Sequence, residues 1–178
     1  MSRWFGAGAA RTAAAAVLGV FTVLGFAPFA WWPVPIFTLA LLITLWRGSA
    51  GAGAAFTLGF AFGLGFFVAG ASWIYISLNV YGGMPALLTA LLTLLFCAVL
   101  ALFPALTGYA QARLAQRTAW HAALVISACW TLLEWLRGWI LTGFPFLSLG
   151  YSQIPDSPLI GYAAIFGVYG VSFILVLC

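Results

Sequence analysis

Apolar segments of bilayer-crossing length follow one another along nearly this whole chain, and that succession limits its fold more than any motif does. A bilayer core of about 30 Å is crossed by a helix of about 20 apolar residues. Gly, Pro and polar clusters cut the sequence into pieces of roughly that size. They fall at residues 12–28, 33–46, 53–78, 85–111, 120–141 and 158–178, the second being short and the last still in progress at Cys178. The chain is 66% hydrophobic and 4% charged, where a soluble domain has about a quarter of its residues charged. Water cannot be the solvent for most of such a surface. Strands of a membrane barrel would alternate in polarity, and these runs are apolar on all sides. The expected fold class is therefore all-α integral membrane: a polytopic transmembrane bundle of about six helices.

The six basic residues are all Arg, against two acidic residues, for a net charge of +4. They stand singly, which is not a nucleic-acid footprint. Arg3 and Arg11 precede the first span, Arg47 lies between the second and third, and Arg113 and Arg117 lie between the fourth and fifth. Segments 29–32 and 79–84 carry no basic residue. The positive-inside rule then places the N-terminus and the Arg-bearing loops in the cytoplasm. Arg3 and Arg11 ahead of an apolar run look like a signal peptide, but Pro28 follows the candidate cleavage point and further spans come at once, so an uncleaved helix is expected. The unterminated last span reads as part of a longer protein. Cys97 and Cys129 sit in apolar runs and read as small buried hydrophobes. No phosphate loop, zinc spacing or acid pair appears, so neither cofactor nor metal is called for. Gly59 and Gly63 are spaced for close helix approach, read here as packing within the chain; a monomer is expected.

Ser127, Thr131, Glu134, Gly138 and Thr142 share one face of the fifth span, with Arg137 at its flank. A charge at mid-bilayer costs about 3 kcal/mol, so such groups face protein or water and have partners. Two readings stand. One is an ion pair at i,i+3 that fixes the outer loop and the helix register. The other is a polar site open to the outer leaflet. The first is preferred, because such a pair satisfies itself cheaply. In this placement Arg137 reaches the outer interface while Glu134 lies deeper. The apolar, aromatic loop after it, with Phe144, Pro145 and Phe146, is suited to lie on the membrane surface and shape a lipid entrance. A small transporter or channel using Glu134 as an intramembrane site is the alternative. It would require more buried polar groups and paired broken helices. His121 reads as a solvated flank. Tyr75, Ser77, Asn79 and Tyr81 read as interfacial anchors. Ser72 and Ser148 have no His or acid near them in sequence to make a nucleophile.

The stretch from Glu134 through Trp135, Leu136, Arg137, Gly138 and Trp139, then Thr142, Gly143, Phe144, Pro145, Leu147, Gly150, Tyr151, Ser152 and Gln153, resembles the bacterial apolipoprotein N-acyltransferase family. Phe26, Ala27, Pro28 and Phe29 with Trp32 and Pro33, Trp73 with Tyr75 and Ser77, the Tyr81-Gly82-Gly83 run with Pro85, and the segment from Gly167 to Phe173 follow the same order as family motifs. Phe146 stands where the family often has Trp. The resemblance implies an inner-membrane enzyme with phospholipid as acyl donor and apolipoprotein as acceptor. It acts through a thioester on a Cys, within a Glu, Lys and Cys set of a periplasmic nitrilase-like domain. This chain contains no Lys, so it corresponds to the N-terminal membrane part, residues 1–178. None of its residues is assigned a catalytic role. Glu134, Arg137, Phe144, Pro145, Phe146 and Tyr151 are its structural or lipid-entrance candidates.

Overall fold

The computed structural model describes residues 2–114, 118–140, 143–154 and 156–178; Arg117 and Thr142, named above, lie outside them. Its α-helices are α1 (Ser2–Thr22), α2 (Pro33–Arg47), α3 (Ala52–Gly70), α4 (Trp73–Ile76), α5 (Ala86–Arg113), α6 (Ala119–Arg137) and α7 (Ala163–Leu177). No strand occurs among the described residues. Among the described residues five segments are long and apolar enough to cross a membrane: Gly8–Gly25, Ala52–Gly70, Ala86–Arg113, Ala119–Arg137 and Pro158–Leu177. The remaining expected span, the second, is α2, which has 15 residues, a length of about 22 Å, short of a bilayer core.

Local chemistry sets two of the helix starts. Pro33 opens α2, where its missing N–H is no loss. Thr118 caps α6 by accepting from the His121 amide at 3.2 Å. Two ends differ from the sequence reading. The third span, expected to reach residue 78, stops at Gly70; α4 follows, then a π-helical turn at Ser77–Tyr81, and no residue of either is buried. Leu147 of the α6–α7 loop packs against Gly70 there, where a side chain would collide with it. The fifth span ends at Arg137 instead of residue 141, with the Gly138 amide closing onto Trp135 O at 2.9 Å.

The long helices form a closed arrangement. α1 packs on α2 and α3, α3 on α5, α5 on α6, α6 on α7, and α7 returns to α2. In the interior lie Leu39, Leu42 and Trp46 of α2, Phe62 and Phe66 of α3, Ile126 and Trp130 of α6 and Leu175 of α7. The Trp46 indole donates to Ala55 O at 3.0 Å, and its ring lies 6.4 Å from that of Trp130. Lipid offers helices no hydrophobic drive to associate, so close backbone packing has to supply it. α3 provides it on two sides. A Cβ on Gly63 would come within 2.8 Å of Ala101 Cα on α5, and one on Gly65 would overlap the Ala16 carbonyl of α1. Gly59 likewise abuts Pro104 of α5. The Gly59 and Gly63 pair thus packs inside the chain.

α7 begins after a 3-10 turn at Pro158–Tyr162 and is interrupted at Gly167, whose φ of 65° and ψ of −173° fall where only glycine is at ease.

Candidate functional site

Glu134 and Arg137 occupy the last turn of α6, and both are almost wholly buried, 5% and 4% exposed. They do not serve chiefly as each other's partners. The Glu134 carboxylate accepts from the Leu149 amide through Oε1 at 2.7 Å. The Arg137 guanidinium donates through Nη1 to the carbonyls of Phe144 and Phe146, each at 2.7 Å, and through Nη2 to Ser148 Oγ at 3.3 Å. Its carbon lies 5.2 Å from the centre of the Phe67 ring, a cation–π contact with α3. Arg137 therefore does not reach outward to the interface. Its planar fork holds acceptors that the chain turns back toward the helix end. A cation is also favoured there by the helix dipole.

The α6–α7 loop is built around this hold. Gly143, at φ 79°, lies against the Gly138 carbonyl, where a side chain would collide. The Phe144 amide returns to Arg137 O at 3.0 Å. Ser148 donates its hydroxyl to Pro145 O at 2.7 Å while accepting from Arg137. Leu147, a non-glycine residue at φ 60°, buries its side chain against α3. In the next turn, Leu149–Gln153, the Gly150 amide donates to Ser172 Oγ of α7 at 2.8 Å. Gln153 is fully buried. It donates to the carbonyl of Trp32, ahead of α2, at 3.1 Å and accepts from Ser157 at 2.7 Å. One loop thus ties together α2, α3, α6 and α7 at one end of the bundle.

The loop's outer surface is aromatic. Phe144 packs edge-on against Phe96 of α5 at 5.0 Å, Phe146 lies 5.7 Å from Phe144, and Trp73 of α4 meets Phe146 at 5.9 Å. Pro145 is exposed, and Phe146 and Tyr151 are about half exposed. Of the expected interfacial anchors, Asn79 closes the turn after α4 by donating to Met84 O at 2.8 Å. The structure thus gathers Glu134, Arg137, Phe144, Pro145 and Phe146 about one loop, with Tyr151 on the following turn. Sequence reasoning missed Ser148, Gln153 and Ser172. Ser148 was weighed only as a nucleophile, and its pairing with a buried guanidinium has no local signature.

Among the described residues Glu134 Oε2 has no hydrogen-bond partner, and neither do Thr131 Oγ1 and Ser127 Oγ, one and two turns below. A cavity of about 20 Å³ adjoins Glu134, Arg137, Thr107 and Phe67. That is room for about one water.

Residues 18–178 match the apolipoprotein N-acyltransferase N-terminal domain. The chain belongs to the apolipoprotein N-acyltransferase family. It is 52% identical to an apolipoprotein N-acyltransferase of Nitrosomonas europaea over 94% of this chain and 34% of that protein. It is 49% identical to one of Ralstonia nicotianae over 88% of this chain and 30% of that protein. The Vibrio cholerae relative is 40% identical over 94% of this chain and 33% of its own length. The chain thus spans about a third of the length of the curated relatives it matches. Within an apolipoprotein N-acyltransferase, the Glu134–Arg137 clamp belongs to the N-terminal membrane domain. Its polar atoms are turned toward backbone, which suits them to hold a loop.

Proposed function

We propose that this chain is the membrane portion of a phospholipid:apolipoprotein N-acyltransferase, whose whole protein moves an acyl chain from phospholipid to the N-terminal diacylglyceryl-cysteine of apolipoproteins. The match of residues 18–178 to the family's N-terminal domain carries this reading. In it, Glu134 and Arg137 brace the α6–α7 loop at the outer mouth of the bundle, and the aromatic surface of Phe144, Pro145, Phe146 and Trp73 borders a lipid entrance. Tyr151 stands beside it. The thioester forms on a Cys of a nitrilase-like domain outside residues 1–178. A thiol attacks as thiolate, which a base or a neighbouring cation must stabilise. Cys97 and Cys129 lie within α5 and α6 among apolar neighbours, and neither takes that role. The protein works as a monomer in the inner membrane, N-terminus in the cytoplasm.

The test is a strain depleted of its own N-acyltransferase, with lipoprotein N-termini read by mass spectrometry. The whole protein should restore the triacylated form, and residues 1–178 alone should leave lipoproteins diacylated. Failure of the whole protein, when it is folded and membrane-inserted, would sink the assignment; triacylation by the fragment would move the chemistry into this chain. Orientation has its own measurement. A cysteine at the exposed Tyr81 should react with an impermeant maleimide in intact spheroplasts, and one at the exposed Ala50 only after permeabilisation. The reverse pattern would invert the topology.

A further inference from the structure

At the end of the bundle opposite the loop, Arg47 from the C-terminus of α2 and Arg113 from the C-terminus of α5 line one open cavity of about 420 Å³ with Ser49, Gly51 and Gln111. Each Arg complements its own helix dipole, which explains its presence at a C-terminus but not the convergence of both on a shared hollow. No described residue forms a hydrogen bond or ion pair with the Arg47 side chain. Among the described residues Arg113 bonds the Tyr109 hydroxyl alone, from Nε at 3.2 Å and Nη2 at 3.0 Å. The two acidic residues of the chain, Glu134 and Asp156, belong to the opposite end, so nothing negative in the described residues balances this site.

The remaining wall favours an anion as well. α3 follows Gly51 at its N-cap position, with no side-chain cap and no acidic residue in its first turn. Gly51, at φ 144°, and Gly53 both have open space where a side chain would stand, leaving the first amides of α3 approachable. Beyond Arg113, the same face of α5 presents Tyr109, Leu106, Leu102, Val99 and Leu95, all substantially exposed and spaced three or four residues apart. That is an apolar track leading from the cationic hollow toward the middle of the bundle.

We propose that Arg47 and Arg113 bind the phosphate of an anionic phospholipid whose acyl chains lie along this face of α5. The site is separate from the loop at the other end and does not depend on the acyl-transfer reading. A free phosphate would use the hollow but not the track, so the two sources can be told apart.

The test is native mass spectrometry of the whole protein released from nanodiscs of mixed phosphatidylglycerol and phosphatidylcholine. Phosphatidylglycerol should be retained about fivefold or more over phosphatidylcholine, and R47Q/R113Q should lower its retention about thirtyfold, the scale of two lost charge contacts at a membrane surface. Equal retention by the variant overturns the proposal. Should the variant fail to fold, wild-type protein with a diazirine-bearing phosphatidylglycerol decides: crosslinks at residues 47–53 or 95–114 support the site, and crosslinks only elsewhere overturn it. Displacement of phosphatidylglycerol by millimolar inorganic phosphate would assign the hollow to a free anion and overturn the lipid source.

Discussion

Replacing Arg137 with Gln is expected to lower the thermal midpoint of the detergent-solubilised protein by about 10 °C or more. The guanidinium serves Phe144 O, Phe146 O and Ser148 Oγ at once from a site 4% exposed. Gln is shorter and has two N–H donors on one nitrogen, so it cannot bridge all three. Carbonyls left without donors away from water cost about 1–3 kcal/mol each. Removing one partner of a buried charged set costs about 3–5 kcal/mol in all. Arg137→Lys should recover little, because an ammonium lacks the planar fork. Glu134→Gln should cost less than Arg137→Gln, since a Gln carbonyl can still accept from the Leu149 amide. Both residues hold the same loop, so the loss in the double variant should fall below the sum of the singles. A midpoint unchanged in Arg137→Gln would show that the loop is held by its apolar contacts instead. Strict additivity would show that the two ends of the loop are anchored independently.

The contrast between what could and could not be read from sequence follows from how local each signal is. The succession of spans is legible because the solvent acts on every residue, and a run of apolar side chains records it directly. The placement of Arg47 and Arg113 at one end is legible for a related reason: successive helices reverse direction, so basic residues in alternate connections fall on one side of the bundle. The register of Ser127, Thr131 and Glu134 on one face needs only the helical repeat. The partners of Arg137 are different in kind. Its i,i+3 spacing from Glu134 points to an ion pair, yet its acceptors are backbone carbonyls seven and nine residues on, and a carbonyl has no residue type. The bond from Gln153 to Trp32 spans 121 positions and leaves no local trace. The contact of Leu147 with Gly70 is hidden for the same reason, since Leu147 comes from a loop far along the chain.

Gly65→Leu is expected to abolish folded protein. A Cβ alone at this position would overlap the Ala16 carbonyl of α1, and a backbone carbonyl cannot swing aside as a side-chain tip can. Relief requires α1 and α3 to separate, which removes dispersion contacts along the length of both helices, and dispersion is the main attraction available between helices in lipid. Overpacking in a close-packed interior costs about 1–3 kcal/mol when neighbours can yield; here a whole helix must move, so the cost exceeds that range. Gly63→Leu should act alike through Ala101 of α5. Gly53→Leu is the control: it lies on the same helix, gains the same apolar side chain and meets nothing within 4 Å. Monodisperse yield by size-exclusion chromatography in detergent should therefore stay near wild type for Gly53→Leu and collapse for Gly65→Leu. Equal yields from the two variants would mean that α1 and α3 are not packed backbone to backbone at Gly65. Loss of both would point to the apolar bulk itself, and not to the contact, as the cause.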